Sequence, residues 1–333
     1  MRLLTFIAAL IVVILSGAAG VARAGNVGFE EIQVPNGAAR PLVVGVWYPT
    51  DAPAAPHALR VFTQDVAAGA PVAGQRLPLV VFSHGTGGWY GGHYDTALAL
   101  AHAGFIVAAV SHTGDTYDDH SQAAQIWTRS AHIHRLIDYM LAEWPAHAQI
   151  DPARIGMFGF SAGGFTTLVV AGGTPDLTLV APHCQTVPSA FECGVIKQAG
   201  PGLVSALATL PKSLFVHDAR VRAAVVAAPA LGFTFGKVGL ADVTIPIQLW
   251  RAENDHVLPG LDYAAAVDRD LPWPADYHVV PNMDHYDFLS PCSDMMRAHA
   301  PAEICASRPG FDRAAFHADF DRAVVAFFEE TLG

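Results

Sequence analysis

The run Arg154-Ile155-Gly156-Met157-Phe158-Gly159-Phe160-Ser161-Ala162-Gly163-Gly164-Phe165-Thr166-Thr167-Leu168-Val169-Val170-Ala171 decides the fold. Residues 154–160 form a short, mostly apolar segment of the kind that lies buried on both faces of a parallel sheet. Residues 162–171 predict a helix. Between the two sits G-x-S-x-G, from Gly159 to Gly163. Glycines flank the serine because the chain must turn there too sharply for Cβ atoms, and the turn presents the Ser161 hydroxyl at the strand's C-terminal end. Five letters alone are a weak signal; the strand before and the helix after make it specific.

Working outward, apolar runs at 79–82, 105–110, 223–227, 245–250 and 277–280 predict further strands. Helices are predicted over 93–103, ending at Gly104, over 121–144, with Ile126, Ile133, Ile137 and Leu141 at helical spacing, and over 316–331. Residues 42–48 predict a strand pairing with 27–34, and 51–56 a Pro/Ala-rich loop. Strands alternating with helices mean an α/β chain with a doubly wound, mostly parallel sheet. About residues 174–217 the connection is too long and too rich in Pro, Gly and Cys for a plain crossover, and it is read as a cap-like excursion over the site.

The chain has 333 residues, 52% hydrophobic and only 15% charged, which excludes a disordered polymer. Its formal net charge of −11 argues against a nucleic-acid partner, since phosphates need Lys and Arg neutralisation. The 16 His are scattered without metal-ligand spacing, and no metal or cofactor is called for. Arg2, an apolar run over 3–15 and the ending Ala22-Arg23-Ala24 have the order of a secretory signal peptide. Residues 1–24 are therefore read as a cleaved leader and 25–333 as a single domain, exported to periplasm or medium, without stable membrane association. The competing reading is an uncleaved anchor, because residues 3–22 are just long enough to span a bilayer. Cys184, Cys193, Cys292 and Cys305 allow three pairings. Short loops and an oxidising compartment favour Cys184–Cys193 and Cys292–Cys305, and C-x(2–4)-C zinc spacing is absent.

Three other segments carry chemistry. Ser83-His84-Gly85-Thr86-Gly87-Gly88 follows a strand directly, and such a turn aims a backbone N–H at a developing oxyanion; the expected donors are the amides of Thr86 and Ala162. Asn254-Asp255-His256-Val257-Leu258-Pro259 follows another strand, placing Asp255 where an acid can fix a histidine's tautomer, with Glu253 as competitor. Asn282-Met283-Asp284-His285-Tyr286-Asp287-Phe288 offers His285 as the base for Ser161. Nucleophile, acid and histidine in that chain order is the α/β-hydrolase order. Trp89 and Tyr90 follow the Gly-rich turn and are expected to wall a substrate pocket, the alternative being that both pack into the core.

On SHGTGG, GFSAGG, NDHVLP and MDHYDF, residues 41–331 resemble the dienelactone-hydrolase-like, platelet-activating-factor-acetylhydrolase-like group of α/β-hydrolases. The resemblance implies a Ser161–Asp255–His285 triad with oxyanion amides from Thr86 and Ala162. Dienelactone hydrolases use a Cys nucleophile where this chain has Ser161, so lactone specificity does not carry over. Ser111-His112-Thr113-Gly114-Asp115-Thr116 also resembles a stretch near the site in that group, and His112 is read as a structural or pocket-wall residue. The function so implied is a secreted serine esterase acting on short-acyl or compact small-molecule esters; the alternatives are a serine peptidase of the same fold and a non-catalytic binding protein. Mass spectrometry of the secreted, non-reduced protein should find Gly25 at the N-terminus and the two bridges named above; four free thiols would contradict export.

Overall fold

The computed structural model describes residues 25–200 and 202–333, so the leader reading of 1–24 lies outside the described residues. The strands in chain order are β1 Asn26–Asn36, β2 Ala39–Thr50, β3 Ala55–Leu59, β4 Phe62–Ala68, β5 Leu77–Ser83, β6 Ile106–Ser111, β7 Ile150–Phe160, β8 Val221–Ala227, β9 Ile247–Ala252 and β10 Asp276–Val280. They form one sheet in the order β10-β9-β8-β7-β5-β6-β2-β1-β4-β3. Strands β5 to β10 pair in parallel, whereas β2 pairs antiparallel with both β1 and β6. Every residue of β5 and β6 is buried, as their continuous apolar character requires.

Helices cover both faces. On one, α1 (Tyr94–His102) and the C-terminal helix Arg313–Leu332 press Ala97, Leu100, Phe320, Val324 and Phe328 against Val80, Phe82 and Phe158. On the other, α2 (Arg129–Ala142) buries Ile133, Leu136, Ile137 and Met140 against Leu79, Val81 and Met157. Beside it α3 (Ala162–Val170) packs Leu168 and Val169 against Val226 and Leu249. Each of the larger of these side chains contributes roughly 1.5–3 kcal/mol by leaving water. The winding reverses at β5, which has β6 on one side and β7 on the other. That reversal opens a crevice beyond the C-terminal ends of β5 and β7, the place where open α/β sheets bind ligands. Ser83 and Phe160 stand at those two ends.

Three local differences separate structure and sequence reading. The loop expected over 51–56 runs into β3, which forms a hairpin with β4. The alternation Phe62, Gln64, Val66 buried against Thr63, Asp65 exposed was present in the sequence, but Ala and Pro, poor strand formers, mask β3. The helix expected over 121–144 begins only at Arg129, after a 3₁₀ turn at Ile126–Thr128. Residues 174–217 hold three short helices, Val180–Thr186, Phe191–Ala199 and Gly202–Leu207. No helix of the described residues is long and apolar enough to cross a membrane.

Candidate active site

Ser161 has φ +56° and ψ −116°, a conformation that costs a non-glycine residue energy and is held by its surroundings. Its N–H donates to the Ala227 carbonyl at 2.9 Å, and its carbonyl accepts from the amides of Ala230 at 2.9 Å and Phe165 at 3.1 Å. The flanking glycines have steric causes. A Cβ on Gly159 would stand 2.2 Å from the Gly163 carbonyl oxygen, and one on Gly163 would stand 1.8 Å from that of Ser83.

The hydroxyl meets a histidine. His285 Nε2 lies 3.1 Å from Ser161 Oγ, and its Nδ1 lies 2.7 Å from Asp255 Oδ2. Asp255 Oδ1 accepts from the amides of Val257 at 3.0 Å and Leu258 at 2.7 Å, which fixes the carboxylate. All three residues are buried. Glu253, the competing acid, is exposed and accepts instead from the Asn282 amide at 3.0 Å. His285 opens a 3₁₀ turn whose start is closed by a capping box between Asp284 and Asp287. Asp287 is itself paired at 2.9 Å with the buried Arg313.

The Gly-rich turn after β5 packs directly on Ser161: a Cβ on Gly85 would lie 3.2 Å from the Ser161 Cβ. Among the described residues, neither the Thr86 nor the Ala162 amide donates a backbone hydrogen bond. Two cavities meet at Ser161, Thr86 and Phe191. The larger, about 400 Å³, is walled by Phe62, Trp89, Phe160 and Tyr286 and includes His285. The smaller, about 60 Å³, is lined by Ala162, Ile196, Leu207 and Leu231 and does not include His285.

Trp89 therefore stands where the sequence placed it, but Tyr90 does not. It starts the 3₁₀ turn that leads into α1, so its ring is drawn into the core against Trp47, and its hydroxyl donates to Glu31 at 2.5 Å. The cover over the larger cavity also has a different source. Among the described residues of the 174–217 excursion Phe191 alone reaches it; further cover comes from Tyr117, from the β3–β4 turn, with Arg60 and Val61, and from Met296, Pro301 and Ile304. Those last residues lie in the segment closed by Cys292–Cys305, while Cys184–Cys193 ties the first two helices of the excursion. The hairpin was missed with β3 and β4, and the fold of the disulfide loop back over Ser161 had no signal in spacing or periodicity.

One group among the described residues brings three ligand-type atoms together, Asp95, His317 and Asp321. His317 Nδ1 is already paired with Asp95 at 2.8 Å, and its Nε2 donates to the Asp287 carbonyl at 2.9 Å. Nε2 is thus a donor, and, against the opposing effect of burial, the Asp95 carboxylate raises His317 above the ordinary imidazole value, so the two form a buried ion pair bracing the His285 turn.

Residues 57–136 match the family model described as "Platelet-activating factor acetylhydrolase, isoform II". A ferulic acid esterase from Streptomyces cinnamoneus superposes with a TM-score of 0.63 at 20% identity, over 94% of this chain and 93% of that one. The chain has the α/β-hydrolase fold. The family match spans the hairpin, β5, the Gly-rich turn and β6, but contains none of Ser161, Asp255 and His285. At that identity the likeness of this chain to the ferulic acid esterase is one of fold. No curated protein matches the sequence.

Behind the Gly-rich turn lie three buried histidines. His112 Nε2 meets Ser83 Oγ at 2.8 Å and its Nδ1 meets His132 at 3.2 Å; its amide donates to His84 Nε2 at 3.0 Å. Burial, with the Arg129 guanidinium adding to it, lowers His84 to about 3, and holds His112 well below the ordinary imidazole value. Burial likewise lowers His132 and, beneath α1, His93 to about 4. Unfolded, all four titrate near 6.5. Between those values the unfolded chain binds more protons, so their contribution is complete above pH 6.5 and lost as pH falls toward 4. Asp321, raised to about 7 by burial and by Asp95, works in the opposite sense, losing its contribution as pH rises through 7. Four groups outweigh one, so the melting temperature should drop steeply from pH 6.5 to 4, and His132→Asn should flatten the drop. A constant melting temperature over that interval would contradict neutral, buried histidines.

Proposed function

We propose that this α/β-hydrolase is a serine esterase, exported, with residues 25–333 as one catalytic domain and Ser161, His285 and Asp255 as its triad. The observation that carries the reading is the unbroken chain Asp255–His285–Ser161 at 2.7 and 3.1 Å, ending at the junction of two cavities. His285 Nε2 takes the Ser161 proton as Oγ attacks the ester carbonyl. The carbonyl oxygen becomes an oxyanion facing the amides of Thr86 and Ala162. Collapse breaks the bond to the alcohol oxygen, which leaves with the proton from His285. Water, deprotonated by His285, then attacks the acyl-enzyme and releases the acid and the free serine. Asp255 holds the imidazole in its Nδ1–H tautomer and stabilises the imidazolium.

The two cavities support a division of the substrate. The leaving oxygen must lie beside His285, which lines only the larger cavity, so the alcohol occupies the roughly 400 Å³ space with its aromatic walls. The acyl chain then points into the roughly 60 Å³ space. At about 10–15 Å³ per water-sized unit, that admits only a few heavy atoms. The preferred substrates are thus short-acyl esters of an apolar or aromatic alcohol.

Ser161→Ala should lower hydrolysis of p-nitrophenyl acetate by several orders of magnitude with an unchanged far-UV spectrum; retained turnover would move the nucleophile elsewhere. Asp255→Asn should cost far more activity than Glu253→Gln, and the reverse order would reassign the acid. Across p-nitrophenyl esters kcat/KM should peak at about two to four acyl carbons, because each methylene that finds no pocket forfeits about 0.8 kcal/mol. A steady rise to long chains would indicate an open groove, and efficient amide cleavage a peptidase.

A further inference from the structure

We propose that Arg129, paired with Asp115, is a positioning residue that sets the direction of the Thr86 N–H by holding the carbonyl of the same peptide group, Gly85 C=O. The inference rests on the esterase reading, in which the Thr86 amide receives the oxyanion.

A trans peptide points its C=O and N–H in opposite directions, so whatever grips the oxygen aims the hydrogen. The Gly85 oxygen is gripped three times. It accepts from Arg129 Nη2 at 3.3 Å, from the Gly88 amide at 3.1 Å, and from His84 Nδ1 at 2.6 Å. His84 can donate there because its Nε2 is committed as an acceptor of the His112 amide at 3.0 Å, which fixes the proton on Nδ1. Arg129 also donates through Nη1 to the His84 carbonyl at 2.5 Å, one peptide earlier.

The other side of Thr86 is held by the partner acid. Asp115 Oδ1 accepts from the Gly87 amide at 2.8 Å, and its Oδ2 accepts from Arg129 Nη2 at 2.5 Å and Nε at 3.1 Å. One ion pair therefore clamps the peptide groups before and after the Thr86 amide and leaves that amide without a backbone acceptor among the described residues. Arg129 and Asp115 are 1% and 3% exposed, so water competes for none of these bonds. Burying two charges is expensive, and a well-packed apolar pair often replaces such a bridge without loss of stability. Beyond the bonds between the two side chains, the bonds of the pair to the His84 and Gly85 carbonyls and from the Gly87 amide all fall on the turn that bears Thr86, a use that stability does not require. The guanidinium also polarises the Gly85–Thr86 peptide, strengthening its N–H as a donor through the hydrogen-bond chain.

The test compares the wild-type chain with Arg129→Lys, Arg129→Gln and Asp115→Asn. Each is assayed for kcat and KM on p-nitrophenyl acetate, for affinity toward an aryl trifluoromethyl ketone, which forms a hemiketal oxyanion on the serine, and for affinity toward the matching non-electrophilic alcohol. Outright removal of an oxyanion donor costs about 10²–10³ in kcat. A misaimed donor should cost at least about tenfold, with KM nearly unchanged. Ketone affinity should fall by the same factor across the series while alcohol affinity stays constant. Arg129→Lys keeps the charge but not the fork, so it should fall between wild type and Arg129→Gln, and it carries the test if the neutral variant fails to fold. Wild-type kcat in a folded Arg129→Lys or Asp115→Asn protein, or ketone and alcohol affinities falling together, would overturn the positioning role alone. A wild-type chain that neither turns over the ester nor binds the ketone would overturn the esterase reading, and this inference with it.

Discussion

The backbone of α3 meets the end of β5 at one point where no side chain fits. A Cβ on Gly163 would lie 1.8 Å from the Ser83 carbonyl oxygen and 2.9 Å from that of His84. This contact brings the turn that bears Ser161 against the turn that bears Thr86. The left-handed φ of Ser161, the glycine at 159 and the approach of Gly85 to Ser161 all follow from it. Parallel pairing of β5 with β7, Ser83 opposite Gly159, fixes the two turns at the same height on the sheet. The active-site geometry is thus set by rigid elements, and the strain at Ser161 is sustained by the packing around it.

Loops that carry functional groups lack this support from the sheet, and buried charge takes its place. Arg129 and Asp115 hold the Gly-rich turn from behind. Arg313 and Asp287 do the same for the His285 turn, and Arg313 reaches on to the carbonyl of Ile304 in the disulfide-closed segment that roofs the larger cavity and to that of Ala306 just past it. His317 bridges Asp95 and the Asp287 carbonyl beneath that turn. Such pairs are costly to bury. Their position under these two connections, rather than within the sheet, ties them to placement of the site.

Much of this was legible in the sequence, for reasons that differ by residue. The strand–turn–helix around Ser161 was readable because strand, turn and helix patterns coincide within eighteen residues and each requires the others. Asp255 and His285 were readable because both follow parallel strands, whose C-terminal ends must converge on the crevice. Tyr90 was misplaced because adjacency to a functional turn does not fix which way a ring faces; the 3₁₀ turn after Trp89 turns it inward. The 174–217 excursion lines the smaller cavity with Val180, Ile196 and Leu207, but the share of the 292–305 loop in covering the larger one was not readable, because its non-local folding leaves no periodic trace. Arg129 and Asp115 read as an ordinary first residue of a helix and an ordinary turn acid, since only the folded chain brings them together across fourteen positions.

The central claim is that Ser161 is a nucleophile activated by His285 and faced by two backbone amides. Labelling the intact protein with a fluorophosphonate, followed by peptide mass spectrometry, measures it directly, since the reagent bonds to a serine only when a base and an oxyanion site assist. A single stoichiometric adduct on Ser161, lost in His285→Ala, is expected. No adduct, or one on another residue with Ser161 unmodified, would contradict it.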